Sequence, residues 1–84
     1  EAWVPESGRV MECFTDLPGM QLYTANSMSA ESLNKGGVPM HDHNSFCLET
    51  QFYPDSVHHE NFPYENLKPG KSYHSQTVYR FSVR

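Results

Sequence analysis

The sequence predicts an all-β fold of antiparallel strands, and three observations carry that expectation. Short stretches alternate between polar and apolar residues with a period of two. Aromatic residues make up 13% of the chain, rich for its length and suited to a pleated surface. Pro-Gly pairs stand at the ends of the alternating stretches, where turns are needed. Helical periodicity is absent over any useful window, and the best helix candidate, residues 29–33, is too short to be more than a turn.

The first strand is expected over residues 9–15, where Val10, Glu12 and Phe14 alternate with Met11, Cys13 and Thr15. Asp16-Leu17-Pro18-Gly19 follows, and its Pro-Gly pair fits the central positions of a type II turn. A second strand is expected over residues 20–25. The third, over 46–53, puts Phe46, Leu48, Thr50 and Phe52 on one face and Cys47, Glu49, Gln51 and Tyr53 on the other. Pro69-Gly70 makes another turn before the longest strand, residues 73–83.

Two irregular stretches, 26–45 and 54–69, separate these strands. Loops of that length are uncommon in a compact domain. Four strands with open edges also make a poor independent core. Residues 1–84 are therefore expected to be one part of a larger β structure, completed by the remainder of the same polypeptide or by a complementing chain. The opening Glu1-Ala2-Trp3-Val4, without Met, reads like the middle of something longer or a processed product.

Composition excludes several classes of function. Ten acidic residues face six scattered basic ones, so no basic stripe can replace the counterions of a nucleic acid. No stretch approaches the roughly 20 apolar residues that span a bilayer. No basic-then-apolar leader is visible, which makes a cytoplasmic location the default expectation. Cys13 and Cys47 lie far apart in apolar stretches and are expected to be buried free thiols. His41-Asp42-His43 and His58-His59 sit in loops at no spacing tied to a metal mechanism, so no metal site is assigned. Asp42 and Asp55 read as loop caps. Nothing resembles a nucleophile elbow or a phosphate-cradling loop.

Glu49 is the leading candidate for chemistry. It projects from mid-strand among apolar neighbours, where partial desolvation would raise its pKa toward the range useful for proton transfer. Alternation alone equally allows a surface carboxylate on the solvated face of a sheet, the commoner fate. Gln21 shares a face with Tyr23, and an amide beside an aromatic ring can hold a sugar. A polar residue facing water is again the blander alternative.

Taken in order, these segments resemble the galactose mutarotase (aldose 1-epimerase) family. Gln21-Leu22-Tyr23-Thr24-Ala25-Asn26 is similar to the family's Gln-Phe-Tyr-Thr-Gly-Asn motif. Phe46-Cys47-Leu48-Glu49-Thr50-Gln51, followed by Pro54-Asp55 and Asn61-Phe62-Pro63, is the most specific block. Leu67-Lys68-Pro69-Gly70 and Thr77-Val78-Tyr79-Arg80-Phe81 match the closing turn and strand. Leu22 stands where Phe is usual, and Ala25 where Gly is usual, which suggests a backbone at Ala25 without a positive φ.

The resemblance implies a large β-sandwich and an enzyme that interconverts the α and β anomers of aldohexoses such as galactose and glucose. It implies Glu49 as the general base, Gln21 as a substrate contact, and no cofactor. The family's acid histidine lies upstream of the matched region, and none of His41, His43, His58, His59 or His74 aligns with it. The chain alone is thus expected to be inactive. The alternative is a carbohydrate-binding or structural β module without chemistry.

Overall fold

A computed structural model describes all 84 residues, Glu1–Arg84. The chain forms five strands: β1 (Ala2–Val4), β2 (Arg9–Thr15), β3 (Gly19–Tyr23), β4 (Cys47–Gln51) and β5 (Thr77–Val83). The one helical element is a 3₁₀ turn at Ser56–His58. The residues group into two compact units, 1–19 with 50–84, and 20–49.

The first unit is built on an antiparallel sheet in the order β1-β2-β5. Its register pairs Val10 with Ser82, Glu12 with Arg80 and Phe14 with Val78, so these side chains share one face with Trp3. Met11, Cys13, Tyr79, Phe81 and Val83 share the other. The polar pair is placed by the register: Glu12 and Arg80 stand directly opposite, and the guanidinium donates through both Nε and Nη2 to the carboxylate at 2.7 Å. The same guanidinium lies 5.0 Å from the Phe14 ring centre, the diagonal neighbour on that face.

The β2–β5 ladder ends at Thr15↔Thr77, so β5 begins at Thr77 rather than at Tyr73. Asp16 caps it: its N–H donates to Gln76 O at 3.3 Å, and its carboxylate, in place of its carbonyl, accepts the Gln76 N–H at 2.9 Å. At the other end, Gly8 sits at φ 69° in the turn between β1 and β2, its N–H on Val4 O and its carbonyl taking the Arg84 N–H. A Cβ there would lie 2.6 Å from Arg84 O, so only glycine lets the first turn and the last residue meet.

The two Pro-Gly pairs behave differently. At Lys68–Lys71 the expected turn forms, with Gly70 at φ 76° and Lys71 N–H donating to Lys68 O. Pro18-Gly19 is not a type II turn, because Gly19 lacks the positive φ that turn requires and instead opens β3. Its missing side chain has another use: a Cβ would lie 2.8 Å from the Tyr53 ring, so glycine admits that ring. Tyr53 in turn packs edge-on against Phe62, and Phe52 against Tyr64.

β3 and β4, whose residues 20–23 and 47–49 belong to the second unit, form a two-stranded ribbon. The connection between them, expected to be irregular, is organised by one asparagine. Asn34 Oδ1 accepts the N–H groups of Gly36 and Val38, which closes a tight turn beside the Leu33↔Pro39 bridge. Asp42 ties the loop further by accepting the Met28 N–H at 2.7 Å, a long-range tie rather than a local cap.

The apolar interior is small. Val10 and Ala25 are the buried hydrophobic residues, and no large side chain is fully enclosed. Contrary to expectation, neither thiol is buried: Cys13 is half-buried and Cys47 exposed, both free.

Candidate active site

Glu49 lies at the centre of β4 and Gln21 at the centre of β3, so the pairing of these strands brings the two predicted site residues onto one ribbon. The expected alternation is present over the first four residues of β4 and stops at Gln51, which is half-buried although it was expected on the Glu49 face. Leu48 and Thr50 are half-buried, while Cys47 and Glu49 are exposed. Thr50 is fixed from the other side, its hydroxyl 2.7 Å from that of Thr77 at the start of β5.

The expected desolvation of Glu49 is not realised within these residues. Glu49 is exposed to solvent. Gln21 is exposed too, and its Nε2 donates to the carbonyl of its neighbour Leu22 at 3.1 Å. Such a local bond leaves the amide oxygen available as an acceptor. Tyr23, two residues on, is half-buried.

Ala25 corrects a second expectation. It adopts φ 54°, in the left-handed region, and is 2% exposed. Where glycine would take this conformation freely, alanine holds it at a cost of about 1–2 kcal/mol. The conformation also explains why β3 stops at Tyr23 instead of running on to residue 25.

The histidines divide by what they touch. His58 and His59 both face Asp55, at 2.5 and 3.2 Å, and His59 also stacks on Phe62. Asp55 precedes the 3₁₀ turn without capping it, its carboxylate being taken by the two imidazoles. Ser56 beneath them is buried, its hydroxyl donating to Tyr53 O. Within this cluster one carboxylate is shared by two rings, an arrangement that ties the turn together.

His43 is different, and sequence reading passed over it as a loop histidine. It sits at φ 64°, its N–H donating to Ala25 O at 2.9 Å and its ring Nδ1 lying 3.0 Å from Thr24 O. No periodicity could have marked it, since it lies outside any strand.

A cleft of about 480 Å³ opens between Phe52 and residues 65–74 in the first unit. Neither Glu49 nor Gln21 lines it, so it is not the place where these two residues would meet a ligand.

The aldose 1-epimerase family matches residues 1–80. The chain is 46% identical over 77 residues to a galactose mutarotase of Bos taurus and 44% identical over 77 residues to that of Homo sapiens. Each of these alignments covers 92% of this chain and 22% of the relative. An aldose 1-epimerase of Escherichia coli strain K12 is 31% identical over 81 residues, covering 94% of this chain and 23% of the relative. The 84-residue chain thus spans less than a quarter of the length of the relatives it matches, and it belongs to the aldose 1-epimerase family.

Proposed function

We propose that these residues are the base-bearing segment of an enzyme that interconverts the α and β anomers of aldohexoses such as galactose and glucose. Glu49 takes the proton from the anomeric hydroxyl. An acid from outside this chain protonates the ring oxygen as the C1–O5 bond breaks. The open aldehyde rotates about C1–C2, and ring closure on the other face returns both protons and gives the other anomer. Gln21 holds a sugar hydroxyl through its amide, and neither role calls for a cofactor. The observation that supports the reading is the pairing of β3, which carries Gln21, with β4, which carries Glu49.

The remainder of a longer polypeptide, or a complementing chain, is the natural partner. It would cover the Cys47–Glu49 face, desolvate the carboxylate and supply the acid, all within a β-sandwich. The solvent exposure of Glu49 in these 84 residues favours one other reading, a carbohydrate-binding or structural β module without catalysis. Polarimetry on the whole polypeptide separates the two. Under the proposal, Glu49→Gln lowers the mutarotation rate of α-glucose by about 10²- to 10⁴-fold, the usual worth of a general base. An unsubstituted polypeptide that gives only the uncatalysed rate favours the binding module.

A further inference from the structure

We infer that His43 is a positioning residue for the ribbon that carries Gln21 and Glu49, an inference that rests on the function proposed above. The loop from β3 to β4 leaves the ribbon just after Tyr23 and returns just before Cys47. At its neck, His43 is tied twice to the two residues that follow β3. The backbone N–H donates to Ala25 O at 2.9 Å. The ring Nδ1 faces the Thr24 carbonyl at 3.0 Å. A carbonyl only accepts, so Nδ1 carries the proton and the neutral ring's tautomer is set. One histidine thus closes residues 26–42 into a loop whose ends are fixed, and the two strands keep their relation whatever that loop does.

The backbone at the neck is strained on both sides. Three non-glycine residues have positive φ, and two of them, Ala25 at 54° and His43 at 64°, are joined across it. Left-handed conformations at such residues cost of order 1–3 kcal/mol and collect where a structure must hold a site in place. Neither residue touches the sugar in this account. What they fix is the exit of the Gln21 strand and the approach to the Glu49 strand. Misplacing a substrate or base by about 1 Å can cost 10²-fold in rate, so the neck is a place where a remote side chain controls chemistry.

The test uses the whole polypeptide, with mutarotation followed by polarimetry and folding by thermal unfolding. His43→Ala and His43→Gly remove the ring donor, and are expected to lower kcat/KM about 10- to 100-fold with the pH–rate profile unmoved. His43→Asn restores a side-chain donor and tolerates positive φ, so it recovers the rate to within a few-fold. Should His43→Ala fail to fold, the comparison of His43→Gly with His43→Asn decides. Glycine matching or exceeding asparagine would show that only the backbone conformation matters and would overturn the inference. So would wild-type kinetics in His43→Ala, or the loss of one limb of the pH profile, which would make the ring a proton carrier. Glu49→Gln in the same assay separates the two levels. If it retains the rate, the catalytic reading fails; if it abolishes the rate while the His43 variants match wild type, only the positioning role fails.

Discussion

Glu12 and Arg80 show how much one register position decides. Arg80 is exposed and Glu12 half-buried, and the guanidinium's bidentate hydrogen bonds hold the Glu12 carboxyl below its ordinary value of 4.5, while the carboxylate in turn raises Arg80. The unfolded chain therefore binds the Glu12 proton more readily than the folded one. The contribution to stability is complete above the ordinary carboxylate range and is lost as pH falls through the lowered folded value. Acid titration of thermal stability should show Glu12→Gln with a lower Tm at neutral pH and a shallower acid limb than wild type, whereas equal acid limbs would mean the pair is idle. Ala25 yields a second expectation. Replacing it with Gly relieves the left-handed strain but gives up a buried methyl and backbone entropy, so stability changes by less than about 1 kcal/mol. Ala25→Val adds a branch at φ 54° and should cost about 2 kcal/mol or more in denaturant unfolding. The residue scale is also where sequence reading was weakest. The motif departure at Ala25 suggested an ordinary φ, yet the conformation is kept and the strain absorbed, because His43 binds the Ala25 carbonyl from across the loop. A tie between positions so far apart leaves no periodic trace.

Strands were more legible than their limits. β2 spans the predicted residues 9–15, since a run of seven alternating residues is long enough for the period to show. β1, at three residues, is too short to show any period, and it exists because β2 offers it an edge. β5 lost residues 73–76 to a ladder that ran out of partner, which is a property of β2 and Asp16 and not of β5 itself. The Glu49 face of β4 followed from alternation, but its solvent exposure did not, because exposure depends on what packs over a face. The Gly19–Tyr53 contact offers a test at this scale. Gly19→Ala places a methyl 2.8 Å from a ring already packed against Phe62, so it should cost about 1–3 kcal/mol. The same substitution in a Tyr53→Ala background should cost much less; an undiminished cost would place the clash elsewhere.

The whole molecule is short of interior. Its accessible surface is 6969 Å², against about 5,100 Å² for a folded protein of 9.7 kDa by the scaling of area with mass. Phe81, Val83, Leu67 and Leu22 all stand more than half exposed. Antiparallel strands, turns and family kinship could be read from the residues themselves, whereas how little these strands bury could not, because burial depends on what packs against them. The account makes one claim above the others: this segment supplies a base and needs its acid from elsewhere. Polarimetry of α-glucose mutarotation with the 84 residues alone, beside the whole polypeptide, tests that claim most directly. The account predicts that the isolated chain gives only the uncatalysed rate while the whole polypeptide is active. Clear catalysis by the isolated chain, abolished by Glu49→Gln, would contradict it.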